Sequence, residues 1–216
     1  MATAEARGAT GKRGLSYLRL ALAVPAILAL ALAPALRAGA AGIEGVHFSD
    51  RVSLEGVELE LQGLALLRYR IFFKGYVAAL YLAPDVPRER VLADVPRRLE
   101  IEYFWSIPAS GFALATLDGI EKNVDAGIFR ELRPQIERFN RFYADVSPGD
   151  RYQLTYLPGR GTELALNGVP RGRIEGAPFA AALFSIWLGA EPFDASLKQQ
   201  LLEDLPCEGQ GCGRSG

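Results

Sequence analysis

The 216-residue chain predicts an α+β fold built on an antiparallel sheet. Two observations carry this. Strand-like and helix-like runs are segregated along the chain, which argues against βαβ units and a parallel sheet. Asn167-Gly168 falls between two short apolar runs, and both residues tolerate positive φ, which marks a hairpin. Half of the residues are hydrophobic (50%) and 10% are aromatic, a globular composition whose length fits one domain.

The first forty residues read as an export signal. Arg7, Lys12, Arg13 and Arg19 form a positive start, and Leu20 to Leu36 is an uncharged Ala/Leu-rich run with Pro25 and Pro34 inside it. Ala38-Gly39-Ala40 then offers the small-x-small pattern of a cleavage site, with the cut before Ala41. The apolar run falls short of the ~20 residues of a membrane span. The expected layout is a signal peptide at 1–40, a domain at 41–205 and a flexible tail at 206–216. The mature chain would then be periplasmic, without a membrane span. It would carry 19 basic and 24 acidic residues, a net charge of −5. A mildly acidic protein is a weak electrostatic partner for nucleic acid.

The domain follows in order. Val52, Leu54, Val57, Leu59 and Leu61 alternate with polar residues, so strands are expected, with a turn at Glu55-Gly56. Gly63 to Pro84 is rich in Phe, Tyr, Leu and Val, residues that suit a half-buried sheet surface, and Pro84 closes it. Arg68, Arg70 and Lys74 interrupt this run. A cation in apolar surroundings needs a partner or a route to water. Arg88 to Val95 reads as a short helix or turn, and Leu99 to Trp105 as a strand ended by Ile107-Pro108.

Phe112, Leu114, Leu117, Ile120 and Val124 have helical spacing, with Ser110 as the expected N-cap. A second helix over 128–146 puts Leu132, Ile136, Phe139 and Tyr143 on one face and a solvated charge run on the other. Pro134 marks a kink or the true start of that helix. Tyr152 to Leu157, Thr162 to Leu166 and Val169 to Ile174 read as strands. Pro178 to Leu188 is an apolar helix, with Gly189 expected as a left-handed cap. Asp194 is the expected N-cap of a last helix over 197–205.

Chemical motifs are sparse. The sequence has no Gly-x-Ser-x-Gly elbow and no phosphate loop, and Gly159-Arg-Gly-Thr162 is better read as a turn. One His, His47, and two Cys argue against a His-rich metal site or a disulfide scaffold. Cys207 and Cys212 are spaced for a local disulfide, a pairing an oxidising compartment permits. No metal and no cofactor is expected.

Several motifs in order resemble the chalcone isomerase-like family, most of all its exported bacterial members. They are the Gly63–Pro84 stretch, with its Arg, aromatic run and Tyr76-Val-Ala-Ala-Leu-Tyr-Leu82, then Pro148-Gly-Asp150, Leu157-Pro-Gly-Arg-Gly-Thr162 and Asn167-Gly168. Phe179 to Gly189 and Leu197 to Leu202 complete the set. The resemblance spans 43–205 and implies an open-faced sandwich, a large antiparallel sheet with helices packed on one face.

The family holds both a plant flavonoid cyclase and plant fatty-acid-binding proteins. Arg68 matches the cyclase arginine. Phe112 to Gly119, however, lacks the Tyr and Asn that the cyclases carry on this helix, and Ile186 stands where a Thr would fall. The resemblance therefore implies a non-catalytic binder of a fatty acid or similar small apolar carboxylate in the cleft between sheet and helices. Arg68 and Tyr81 are the expected grip on the carboxylate, with Tyr76 beside them. An Arg offers a planar fork and a Tyr a further donor. Pairing of Arg68 with Glu100 or Glu102 is the structural alternative. A chalcone isomerase-like intramolecular lyase and a ligand-free scaffold are the other functional readings. The oligomeric state is left open.

Overall fold

The computed structural model describes residues 40–69 and 73–203. The expected signal, apart from Ala40, lies outside the described residues, as do Arg70 and the tail with Cys207 and Cys212.

The strands are β1 (Ala40–Ile43), β2 (Val46–Ser49), β3 (Arg51–Leu54), β4 (Val57–Tyr69), β5 (Phe73–Leu82), β6 (Arg97–Tyr103), β7 (Arg151–Leu157), β8 (Gly161–Leu166) and β9 (Val169–Ile174). The helices are α1 (Ala109–Asn123), α2 (Ala126–Asn140), α3 (Ala177–Leu188) and α4 (Ala195–Leu202). Strands β3 to β9 form one seven-stranded antiparallel sheet in sequence order, and β1 and β2 form a separate hairpin. Three tight turns share one chemistry. Glu44-Gly45, Glu55-Gly56 and Asn167-Gly168 all have positive φ at both positions, the conformation that matches strand twist in a two-residue hairpin.

The sheet buries both faces in its centre. On β5, Tyr76, Ala78, Leu80 and Leu82 face the helices, while Val77, Ala79 and Tyr81, with Ala83 just after the strand, belong to a second core with Val46 and Phe48 of β2. A strand buried on both sides reads as a continuous apolar run rather than an alternating one. The half-buried surface expected for this stretch is thus corrected, because the β1–β2 hairpin covers what would be its open face.

The helix boundaries bring further corrections. Ser110 lies inside α1, and the Asp145 carboxylate accepts the Ala109 N–H at 2.8 Å from a distant loop. Helix α2 starts at Ala126, keeps Pro134 in its interior and ends at Asn140, short of Tyr143. Gly189 has φ −76°, so it is not a left-handed cap. A Cβ there would collide with the Asn123 side chain and the Ser185 carbonyl, and close approach is what requires the glycine. Asp194 caps α4 as expected, accepting from Leu197 N at 2.7 Å. Among the described residues no helix is long and apolar enough to cross a membrane.

Candidate functional site

Helices α1 and α3 lie over β6, β7 and β8 and enclose a cavity of about 60 Å³. Strand alternation supplies its floor. Leu99, Ile101 and Tyr103 come from one face of β6, Tyr152 and Leu154 from β7, and Leu164 from β8. Phe112, Ala115 and Thr116 of α1, Ile186 and Trp187 of α3, and Tyr143 after α2 form the roof. Phe112 and Ile186, the two departures from the cyclase pattern, therefore both face this cleft, and both are apolar.

One end of the cleft is an aromatic cluster. The Phe112 ring stacks on Tyr143 at 5.3 Å and meets Tyr103 and Tyr152 edge-on at 5.3 and 5.2 Å. Its hydroxyls are mostly engaged. Thr116 Oγ1 and Tyr143 Oη share a hydrogen bond of 2.8 Å, and Tyr152 Oη donates to the Ala144 carbonyl at 2.8 Å. Burial raises the Tyr76, Tyr103 and Tyr143 hydroxyls above the ordinary tyrosine value, because a phenolate would have to form away from water. They stay protonated at neutral pH, so each keeps a proton it can donate. None of the lining residues is a carboxylate, His, Lys, Arg or Cys. The cleft can receive apolar surface and hydrogen-bond a polar group, but its lining offers no general base.

The three residues expected to bind the ligand do not meet. Tyr76 borders the cleft. It is buried, accepts a hydrogen bond from Trp187 Nε1 at 3.2 Å, and its ring lies 5.7 Å from Tyr103. Tyr81 lies on the opposite face, in the core beneath β1–β2, and its hydroxyl has no hydrogen-bond partner among the described residues. Arg68 is opposite Lys74 in the register, whereas Tyr81 is opposite Leu61. Lys74 and Tyr81 are seven positions apart on β5, roughly 23 Å of strand, so one carboxylate cannot touch both Arg68 and Tyr81.

Arg68 is half exposed (52%) and pairs with Glu44 at 3.2 Å, a carboxylate that Lys74 also holds. It lines a surface groove of about 450 Å³ with Leu66, Asp194, Ser196 and Gln200. The alternative pairing with Glu100 or Glu102 is corrected as well. Glu100 is held by Arg98 (2.8 Å) and Arg151 (3.1 Å), and Glu102 by Arg151 (2.7 Å). Arg68 sits near the end of its strand, where water supplies the route that an apolar neighbourhood denies.

Among the described residues the buried cation is Arg97, at the start of β6 and on the helix side of the sheet. Sequence reading passed over it because Arg97-Arg98 looks like a polar lead-in. The usable signal was parity, since Arg97 shares its strand face with Leu99, Ile101 and Tyr103. Among the described residues no cluster of His, Cys, Asp and Glu could hold a metal ion.

A family model described as chalcone isomerase-like matches residues 40–203. Among solved structures, the chain is similar to a fatty-acid binding protein of Arabidopsis thaliana. The TM-score is 0.57 and the identity 14%, over 76% of this chain and 96% of the other. At that identity the likeness speaks for the fold. No curated protein matches the chain.

Proposed function

This chain belongs to the chalcone isomerase-like family, and on that premise we propose that it is an exported, non-catalytic binder of a fatty acid or similar small apolar carboxylate. The ligand would occupy the cleft beneath α1 and α3. The observation that carries the reading is the lining itself, which is apolar and aromatic with a few protonated hydroxyls and no acid–base pair. Such a surface is the usual form of a small-molecule site. The fatty-acid-binding protein of the same fold supports the choice of ligand class.

The cleft must widen to work. Small-molecule sites generally measure about 300–1,000 Å³, against the 60 Å³ found. Ala115 is exposed at the rim, which makes the α1 side the natural entrance. The binding reading thus includes an outward shift of α1. Gly119 is the contact on which it turns, because a Cβ there would press on the Ile186 side chain of α3.

Lipid extraction and mass spectrometry of protein purified from a periplasmic extract test the reading. A co-purifying fatty acid, with slower hydrogen exchange in α1 of the loaded protein, is the expected result. Protein that neither carries nor takes up any lipid would overturn it. Export is tested on the same sample, because N-terminal sequencing should begin at or near Ala41. Turnover of a chalcone well above its solution rate would favour the lyase reading instead.

A further inference from the structure

Arg97 is fully buried (0% exposed) on the helix side of the sheet. Its guanidinium lies between the rings of Tyr156, its partner on β7, and Phe184 of α3, with centroids at 4.7 and 4.6 Å. These two faces fix the plane of the group. Nη1 donates to the Ala93 carbonyl at 2.6 Å and the Val95 carbonyl at 3.3 Å, which ties the approach to β6 in place. Nε and Nη2 are buried and have no hydrogen-bond partner among the described residues.

That pair is chemically specific. The N–H bonds of Nε and Nη2 run side by side along one edge of the guanidinium, the edge that takes a planar carboxylate with two parallel hydrogen bonds. Holding the adjoining loop occupies Nη1 and leaves this edge unused. Asp94 lies near enough to act on Arg97 through its charge, but its carboxylate accepts the Tyr156 hydroxyl. Burial brings the guanidinium down to about 10, so it is still a cation at neutral pH.

Its place is next to the cleft. Arg97 and Leu99 are successive residues on one face of β6, and Leu99 lines the cavity. From Arg97 to Tyr103 the strand runs six residues, roughly 20 Å. A straight apolar chain laid along that line would have a cation at one end and the aromatic cluster at the other.

We infer that Arg97 receives the anionic head of the ligand, a planar carboxylate seated on its Nε–Nη2 edge, with the tail running past Leu99 and Ile101 toward Tyr103. This rests on the reading of the cleft as a binding site and names the residue that makes the site selective for an acid. It also separates the head-group contact from Arg68, which lies at the surface.

The test compares tetradecanoic acid with tetradecan-1-ol, two chains of equal length that differ in the head group, by titration of the delipidated full chain. Wild type should bind the acid about tenfold or more tighter than the alcohol, the effect expected of a charge-assisted contact. Arg97→Met should bring the two affinities together while leaving that for the alcohol in place, and Arg97→Lys should recover part of the preference. An acid preference that survives Arg97→Met would overturn the inference and leave the cleft reading standing, as would equal affinities in wild type. If neither ligand binds, the cleft reading itself fails. Should Arg97→Met not fold, carbon-13 NMR of carboxyl-labelled tetradecanoic acid on wild type decides. A bound carboxyl that stays ionised at lower pH than the free acid supports the inference, and one that does not overturns it.

Discussion

Thr116 and Tyr143 share one buried hydrogen bond, and the ways of removing it should differ in cost. Tyr143→Phe leaves the Thr116 hydroxyl without its partner, which should destabilise the protein by about 1–3 kcal/mol, whereas removing both polar groups can be nearly neutral. Urea unfolding of Tyr143→Phe, Thr116→Val and the double variant should therefore show strong non-additivity. Simple addition of the two costs would mean that the hydroxyls do not depend on each other. Arg68 belongs to the same scale with the opposite expectation. Its pair with Glu44 is open to solvent, and such pairs contribute little. Arg68→Ala should leave both the denaturation midpoint and tetradecanoic acid affinity unchanged within error, and a tenfold loss of affinity would place the carboxylate at the surface groove instead.

At the scale of elements, the junction of α4 with β4 is a close fit. Among the described residues no strand pairs with the outer side of β4 beyond Glu60, and α4 packs against that edge. Leu66 N donates to the Gln200 side chain at 3.0 Å, and a Cβ on Gly63 would collide with the Leu201 carbonyl. Gly63→Ala should cost about 1–3 kcal/mol, the range for forcing extra volume into a close contact. Asp194→Ala should cost about 1 kcal/mol through the lost cap. Thermal unfolding measures both, and an unshifted Gly63→Ala would show that α4 sits farther from β4.

Much of this level was legible in the sequence. The strands around Glu55-Gly56 and Asn167-Gly168 were readable because turn chemistry and alternation agree there. Gly189 was misread because its composition fits a cap, while the reason for it is the approach of Asn123 from another helix. The site was less legible than the fold. Phe112 and Ile186 were singled out and do line the cleft, but Arg68 and Tyr81, though close in sequence, lie far apart along one long hairpin, because its register sets Arg68 opposite Lys74 and Tyr81 opposite Leu61. Arg97 was overlooked because the Arg97-Arg98 pair looks like a polar lead-in, although strand parity puts Arg97 on the face of Leu99, Ile101 and Tyr103.

For the molecule as a whole, the buried tyrosines set an alkaline limit. Tyr76, Tyr103 and Tyr143 have folded values raised above the ordinary 10.0, with burial as the first cause. A raised value means that the unfolded chain loses its proton first. The stability they confer is complete below pH 10 and is lost as pH rises through the raised values. Arg97, lowered to about 10 from 12.5, works in the other direction over that interval, but it is one group against six, since Tyr81, Tyr152 and Tyr156 are raised as well. Tyrosinate absorbance should lag behind that of the unfolded chain above pH 10 and then rise cooperatively with loss of structure. Gradual titration of all tyrosines in a protein that stays folded would contradict the burial.

The strand order has a kinetic consequence. Every strand in the large sheet lies beside its neighbour in the chain, so most pairings close through short connections. The exception is β6 with β7, where residues 104–150 intervene and carry α1 and α2. Loop closure costs entropy before any contact repays it, and distant pairings slow folding. The β6–β7 seam is therefore the expected bottleneck, and the hairpins on either side can form early or late without setting the pace. Leu154→Ala, which weakens the seam where Leu154 faces Leu99, should slow refolding, while Val52→Ala on the outermost strand should mainly hasten unfolding. The cleft lies over that same seam, so the contact that forms at the slowest step is also the floor on which a ligand would rest, and a ligand that engages this floor in the transition state should act on the folding arm of the kinetics as well as on the unfolding arm.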